Sequence, residues 1–562
     1  MSLIVKQTQK ELRTRIIDAL GRAVANGELP GEIIPDFNIE KPANSANGDF
    51  SANVALAGAK AFKKAPRVIA ECIKNNLYLD GTLFDRVEIA GPGFLNFYLS
   101  DRYYSEIVKD VINKGEDYGK SDFGKGKKIL VEFVSANPTG PMHIGNARGG
   151  AIGDCLSSVL EWAGYEVNRE FYVNDAGNQI EKFATSLEVR YLQLYKDDIE
   201  MPEDAYHGAD ITEHAKNFAE EYGDKYVEAS SEDRRKALVD FALPKNIAGL
   251  ERDLLSYRIK YDRWFKESTL HADGSVKEII EKFKELGVTY EQDGALWFKA
   301  SEFGNDKDVV LIRANGIPTY IVPDIAYHYN KLVTRGYDKA VDVLGADHHG
   351  YVPRMKAALS ALGIDADRLD CVIMQMVRLV RNGETIKLSK RSGKAITLTT
   401  LLEEIPIDAA RFFFNLREPN SHFDFDLDLA AQETSQNPVY YVQYAHARIC
   451  SILKKAQDEG ATLRTPTSEE LDMLTSDEER ELIRHLSTLT DEIVAAAKAY
   501  DPAKITHFVI ELATLFHKFY NARRVMVEDE GLMQARLYLC LAVKETIKNI
   551  LTMLKISAPE TM

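Results

Sequence analysis

Near the start of the chain, apolar positions recur three and four residues apart. Leu12, Ile16, Ile17 and Leu20 share one helical face. The stretches SANVALAGAKAFKK and RVIAECIKNNL carry the same period. It switches to two in RVEIAGPGFLNFYLS, where a Gly-Pro-Gly turn precedes an alternating run. Helices with a short sheet predict a small α+β unit over residues 1–115. Lys114–Lys128, rich in Gly, Lys and Asp, reads as a linker.

A different pattern begins at KKILVEFVSAN, whose Ile, Leu, Val and Phe predict a buried strand. The strand breaks at Asn137-Pro138-Thr139-Gly140-Pro141, and Ile152, Leu156, Val159, Leu160 and Ala163 then mark one face of a long helix. YEVNREFYVN reads as the next strand, completing a βαβ unit. DVVLIR, TYIV, AVDVLGA, the helix VPRMKAALSALG and DCVIMQMVRLV continue the alternation, which predicts one mostly parallel sheet over residues 120–430. Residues 185–300 are charged, acidic and helical, and read as an insertion in that sheet. From residue 431 to 562 only helical periods occur, as in LIRHLSTLTDEIVAAAKAY and KITHFVIELATLFHKFYNARRV, which predicts a bundle.

Composition narrows this picture. At 562 residues the chain exceeds one compact core and suggests three or four domains. With 45% hydrophobic and 28% charged residues it is globular, not disordered or collagenous. Five scattered cysteines form no CxxC pair, there is no secretory h-region, and no run of about 18 apolar residues occurs. A reducing, cytoplasmic setting is expected. The net charge of −16 excludes coating nucleic acid by bulk attraction, though it permits a local basic face. Asn437–Met562 carries 15 basic against 18 acidic residues, so the C-terminal bundle is far less acidic than the whole chain.

Two loops hold candidate chemistry. In SANPTGPMHIGNARGG, His143, Gly145 and Asn146 fall where the long helix begins. A helix mouth offers free N–H groups and partial positive charge, which suits a phosphate. Gly145 leaves its backbone open to close approach. Taken alone, the stretch reads equally as a structural turn with a capping histidine. In ETIKLSKRSGKAITL, Lys387, Lys390, Arg391 and Lys394 crowd a Gly/Ser loop, which suits polyphosphate and equally fits a solvated basic turn.

Together, HIGN at the first strand–helix turn and KLSKR after the last strand resemble the HIGH and KMSKS signatures of class I aminoacyl-tRNA synthetases. VEFVSANPTGPMHIGNARGG, TYIVPDIAYH, VLGADHHGYVPRMKAAL and IKLSKRSGKAITL are similar to the arginyl-tRNA synthetases of bacterial type. NPVYYVQYAHARICSIL and FHKFYNARRV resemble that family's anticodon-binding domain, and GDFSANVALAGAKAFKKAP with GPGFLNFYL its N-terminal domain. The implied fold class is α/β: a Rossmann-like parallel-sheet catalytic domain between an N-terminal α+β domain and a C-terminal all-helical anticodon-binding domain. The implied activity is arginine–tRNA ligation, in which ATP and L-arginine give arginyl-adenylate and pyrophosphate before the arginyl group passes to the 3′ end of tRNA(Arg).

The resemblance assigns His143, Asn146, Lys387 and Lys390 to catalysis, and Pro138, Gly140, Gly145, Leu388 and Ser389 join them around ATP. Mg²⁺ is expected on the ATP phosphates. His348 and His349 lack a third ligand at useful spacing, so no zinc is expected. Asn146 stands where the family signature has histidine. Lys390 is present where many arginyl enzymes lack it, and is taken as a participant. A guanidinium calls for a carboxylate, and Asp324 is the candidate. Pro323 reads as the first helical position and Asp324 as the second, so the helix dipole is expected to keep Asp324 ionised. Tyr320, Glu132, Ser135, Asn137 and either Asp347 or His348 complete the expected arginine site. Phe94 and Asn96 are expected at the tRNA D-loop, and Tyr440, Tyr444, His446 and Arg448 at the anticodon, although tyrosines at that spacing also suit a helix core. Neither a membrane nor an obligate protein partner is expected.

Overall fold

A computed structural model of the chain describes residues 3–31, 35–42, 44, 47–386 and 396–562. Lys387, Leu388, Ser389 and Lys390 therefore lie outside the described residues.

The N-terminal unit packs helices α1 (Leu3–Ala25), α2 (Val54–Phe62) and α3 (Pro66–Asn75) on a four-stranded antiparallel sheet. Its strands, β1 (Ile39–Glu40), β2 (Phe50–Ala52), β3 (Phe84–Ala90) and β4 (Phe94–Leu99), run in the order β1-β2-β4-β3. Alternation sends Leu95 and Phe97 into the core with Leu12, Ile16, Leu20 and Phe84. Phe94, Asn96 and Tyr98 take the other face. Helix α4 (Asp101–Lys114) leads onward. The stretch read as a linker is partly docked: Tyr118 is buried and its hydroxyl donates to Leu486 O at 2.8 Å, while Asn549 Nδ2 donates to Gly115 O at 2.7 Å.

The middle region holds β5 (Lys128–Glu132), β6 (Glu166–Val173), β7 (Arg263–Lys266), β8 (Thr289–Gln292), β9 (Ala295–Phe298), β10 (Val309–Ile312), β11 (Lys339–Gly345), β12 (Leu369–Met374), β13 (Val377–Arg381), β14 (Glu384–Thr385) and β15 (Phe423–Asp426). Five of these form the parallel sheet β12-β11-β5-β6-β7. The winding reverses between β5 and β11, and in such sheets that switch point opens the ligand crevice at the carboxyl ends of the strands. Helix α5 (Ile144–Trp162) leaves this point and packs tightly on the sheet. A Cβ built at Gly153 would lie 2.2 Å from Phe133 Cγ, so only glycine allows that approach.

Four sequence expectations need correction. The stretch 185–300 is not wholly a helical insertion. After α6 (Asn178–Leu192), α7 (Ala209–Tyr222) and α8 (Ser231–Ser256), the four-residue β7 returns to the main sheet, where Trp264 stacks on Phe171 at 4.3 Å. That run is too short and too charged at its ends to stand out by pattern. DVVLIR forms β10, which pairs with β9 in a separate antiparallel sheet of order β10-β9-β8 beside α9 (Glu267–Ala272) and α10 (Ser275–Glu285). TYIV is not a strand: Thr319 N–H donates to Leu311 O, and α11 (Ile321–Tyr329) begins directly, with Tyr320 as its N-cap. The VRLV half of the last run is β13, paired with β14 and β15 in a third small sheet.

Six helices between Pro438 and Met553 form the C-terminal bundle, which shares one core with α5 and β5. Buried Arg411 joins these parts: Nη2 donates to Asp154 Oδ2 at 2.5 Å, Nε to Leu554 O and Nη1 to Tyr257 O, both at 3.0 Å. No described helix is long and apolar enough to cross a membrane.

The packing of Gly153 gives a stability test. Gly153→Ala should cost about 1–3 kcal/mol by overpacking against Phe133. Gly21→Ala, in open space on α1, should be neutral or stabilising. Thermal unfolding of the two variants checks this; equal midpoints would mean that the α5–β5 approach is slack.

Candidate active site at the carboxyl edge of the parallel sheet

β5 ends at Glu132, and the chain then turns through Val134 (φ 68°) and Ser135 (φ 38°). Left-handed backbone at two successive non-glycine residues, one β-branched, costs on the order of 1–3 kcal/mol each. Ser135 restrains the turn: its Oγ donates to Glu132 Oε1 at 2.9 Å and accepts from Tyr172 N–H at 3.1 Å. Past this turn Asn137 is exposed, while Pro138 is buried and its carbonyl accepts from Asn246 Nδ2 at 3.0 Å. Asn246 is held in turn by His214 at 2.6 Å, so the inserted helices α7 and α8 brace this loop. Half-buried Gly140 faces the Asp210 carboxylate.

His143 is the N-cap of α5, with its ring exposed, and its N–H donates to Asn146 Oδ1 at 3.1 Å. The Asn146 amide keeps its own N–H groups to offer. Among the described residues, nothing beyond the chain neighbours and the helix's own backbone lies within 4 Å of a Cβ built at Gly145. The chain leaves β14 at Ile386 and is described again from Ile396, where it anneals to this mouth. Ile144 N–H donates to Ile396 O at 3.3 Å, Leu398 N–H to Met142 O at 2.9 Å, and His143 bridges Thr397. Both described flanks of the lysine-rich stretch are thereby tied to the site: Arg148 on α5, fully buried, donates to Gln375 O at 2.6 Å just before β13.

Beside the mouth lies an acidic recess. Asp324 on α11 interacts electrostatically with Glu267 at the end of β7 and with Glu132. Burial above all, and then these two carboxylates, push the Asp324 carboxyl up to about 8. This corrects the expectation that the helix dipole keeps it ionised: α11 starts two residues earlier than predicted, so Asp324 is its fourth residue, past the free N–H groups of the first turn and close to other carboxylates. Lys331 pulls the other way but is committed elsewhere, donating to Glu132 Oε2 at 2.5 Å and Asp342 Oδ1 at 2.9 Å. Glu267 is also shifted upward, first by burial, against the opposing effect of Tyr172 and of His271 at 3.5 Å. Among the described residues, neither of these two acids is ion-paired with a lysine or arginine.

Tyr320 stands at the rim, 64% exposed, its hydroxyl accepting from Arg354 Nη1 at 3.1 Å. The Asp347 side chain is 85% exposed, whereas His348 sets its ring edge against Tyr351, which itself faces Asp324. Pattern reading missed Glu267, Tyr172, Lys331, His328 and Asp342. Glu267 was hidden because β7 was not seen as a strand; once it is, an acid at the carboxyl end of a parallel strand is a signal.

The family model for the class I (R) tRNA synthetase catalytic domain matches residues 107–450. The models for the arginyl-tRNA synthetase N-terminal domain and the DALR anticodon-binding domain match residues 10–99 and 442–562. The arginine–tRNA ligase of Caldanaerobacter subterraneus subsp. tengcongensis is 53% identical over all of both chains. The chain belongs to the arginyl-tRNA synthetase family. The arginine–tRNA ligase of Ruminiclostridium cellulolyticum is 52% identical, again over the whole of both chains. The fold is also similar to Thermus thermophilus arginyl-tRNA synthetase, with a TM-score of 0.71 at 22% identity over 98% of this chain and 100% of that one.

Membership in this family directs attention to the end domains. Phe94 is 38% exposed, whereas Asn96, expected beside it as a second contact, is only 4% exposed and accepts from Ser51 Oγ at 2.8 Å. Asn96 sits mid-strand between β2 and β3, while Phe94 sits at the strand end, which explains the difference. On the first bundle helix, Tyr440 and Tyr444 stack at 6.5 Å, and Arg448 lies over the Tyr444 and Tyr520 rings. His446 departs from expectation: it is buried on the opposite face and bonds Pro559 O at 2.8 Å, a core position.

The Asp324 shift carries a pH signature. An unfolded Asp ionises near pH 3.9. The folded, unliganded protein holds its proton up to about 8, so the stability contribution is full below about pH 4 and is lost as pH rises through about 8. Asp324→Asn should flatten the fall in thermal midpoint between about pH 5 and about pH 8.5. A fall as steep as that of the parent chain would mean that another group titrates there.

Proposed function

We propose that the crevice at the β5–β11 switch point activates L-arginine with MgATP and passes the arginyl group to the 3′ end of tRNA(Arg), releasing AMP and pyrophosphate. The observation that carries this reading is the pairing of a helix mouth with a recess holding two acids that no lysine or arginine among the described residues pairs with. The first suits phosphate and the second guanidinium.

In this reading the guanidinium enters between Asp324 and Glu267, where a bidentate charge pair replaces the retained proton. Glu132 and Ser135 take the amino end, Asn137 lies by the carboxylate, and His348 and Tyr320 close the rim. The arginine carboxylate then attacks the α-phosphate in line. Phosphoryl transfer of this kind depends on positioning and charge stabilisation rather than an acid–base pair. His143 and Asn146 donate to the phosphate oxygens at the mouth of α5, and Gly145, Gly140 and Pro138 leave room for the nucleotide. Lys387 and Lys390, with Leu388 and Ser389, take the leaving pyrophosphate. Mg²⁺ arrives on the phosphates as part of the nucleotide substrate. The tRNA's terminal ribose 2′-OH then takes the arginyl group. Phe94 contacts the D-loop, and Tyr440, Tyr444 and Arg448 meet the anticodon, where exposed rings and a guanidinium suit unstacked bases. Five unpaired cysteines support a reducing, cytoplasmic setting.

Two substitutions test the assignment, both assayed with tRNA present. His143→Ala should slow pyrophosphate exchange on the order of 10²–10³-fold while leaving tRNA affinity unchanged. Parallel loss of both would remove His143 from the phosphate site. Asp324→Ala should raise the arginine KM on the order of a hundredfold, since it removes one partner of a buried charge pair. An unaltered KM would take Asp324 out of the arginine pocket.

A further inference from the structure

Glu132 and Asp342 are Cα partners on the neighbouring parallel strands β5 and β11. Like charges set side by side on a sheet repel, and here both are largely withdrawn from water. Lys331 lies between them, 0% exposed, with Nζ 2.5 Å from Glu132 Oε2 and 2.9 Å from Asp342 Oδ1 and 4.2 Å from the Tyr327 ring centre. It reaches this position because the chain after α11 makes a π-helical turn over Asn330–Thr334, in which Arg335 N–H donates to Asn330 O at 2.8 Å. Such turns insert one residue into a helix and are frequent at functional sites.

The second oxygen of Asp342 faces His328. His328 Nε2 lies 2.7 Å from Asp342 Oδ2, and Nδ1 lies 2.8 Å from the main-chain oxygen of Asp324. Both facing oxygens are acceptors, so either ring nitrogen finds an oxygen to donate to when it carries a proton. Burial acts to raise the Asp342 carboxyl, but the Lys331 and His328 neighbours more than reverse it and hold the group below the usual carboxylate range. The contacts form one connected path: Asp324 main chain, His328, Asp342, Lys331, Glu132, Ser135, Tyr172 main chain. It runs from Asp324, which the functional reading sets at the guanidinium, to Glu132 and Ser135, which that reading sets at the amino group of arginine.

We propose that Asp342, with Lys331 and His328, is a positioning hub that sets the separation of the Glu132 and Asp324 anchors and thereby selects the amino acid by its length. This rests on the reading that those two residues bracket arginine. The hub touches no reacting atom. It acts because its three members are buried in close-packed surroundings, where a change of one methylene is felt. Glu170 provides an internal comparison. It is equally buried and tied to Arg335 at 2.5 and 2.8 Å and to the Tyr327 hydroxyl at 2.6 Å. Its backbone lies beside Glu132 in the sheet, but among the described residues no side-chain hydrogen bond or ion pair joins it to either anchor.

The test measures kcat/KM of the full chain, with tRNA, for arginine, for homoarginine (one methylene longer) and for 2-amino-4-guanidinobutyrate (one shorter). Asp342→Asn, Lys331→Met and His328→Gln each cut a different link, so a variant that fails to fold, as judged by its melting profile, leaves the others to be read. Length discrimination by a pocket amounts to about 10–200-fold per methylene. Folded hub variants should compress that ratio at least tenfold, through the amino-acid KM, with the ATP KM unchanged. Glu170→Gln should leave the ratio as in the parent, whatever its effect on melting. An uncompressed ratio in the folded hub variants, or equal compression by Glu170→Gln, overturns the hub. The companion variant Asp324→Ala separates the two levels: an unchanged arginine KM there defeats the underlying reading, whereas a raised KM beside an uncompressed ratio defeats the hub alone.

Discussion

The site depends on keeping negative charge unneutralised at the carboxyl edge of the central sheet. Glu132, Asp342, Glu267 and Asp324 converge there, yet Lys331 pairs with only the first two. The remaining acids would be unstable as bare carboxylates in a withdrawn recess, and the upward shift of Asp324 expresses that cost. A guanidinium relieves it by supplying fixed donors and a charge together. Under the proposed assignment, specificity for a cationic side chain would be built as an unmet electrostatic demand more than as a shape.

The neighbouring helix mouth, proposed to take phosphate, offers the opposite pole. The mouth of α5 presents its N-cap residue and open backbone, and the turn leading to it is strained at Val134 and Ser135. Strain of this kind persists only where the surroundings over-determine it. Ser135 bonds the turn to β5 and β6, Asn246 holds the Pro138 carbonyl, and the Ile396–Leu398 segment closes over Met142 and Ile144. The acidic insertion is thus a strut for the loop that leads into α5 as well as a source of negative charge. The end domains also touch each other directly. Arg484 of the bundle pairs with Asp49 at 3.2 Å, Arg480 bonds Asp101, and Arg411 ties α5 to the last helix.

Much of this was legible in the residues. Long helices with a clear period, the strands β5, β6, β11 and β12, and the all-helical tail follow from patterns extended enough to be unambiguous. The two signature loops were legible because glycine, proline, histidine and lysine have few reasons to cluster in that way. Short elements were not. Arg263–Lys266 is a strand because Phe171 and Tyr172 offer Trp264 and Phe265 a surface. Val309–Ile312 pairs with a local hairpin instead of the main sheet because β9 is its nearest unpaired edge in the chain.

Local order along the chain thus carried the identity of the long elements, the order of the three units and the chemistry of the signature loops, since each depends on residues a few positions apart. Folding decided which side chains face one another. Asn96 and His446 share their segments with exposed aromatics yet are buried, because their neighbours in space cover them. The protonation of Asp324 was decided in the same way. A helix start favours the carboxylate, but Glu267 and Glu132 arrive from strands far away in sequence, and in a low-dielectric recess their repulsion and the loss of water outweigh the dipole.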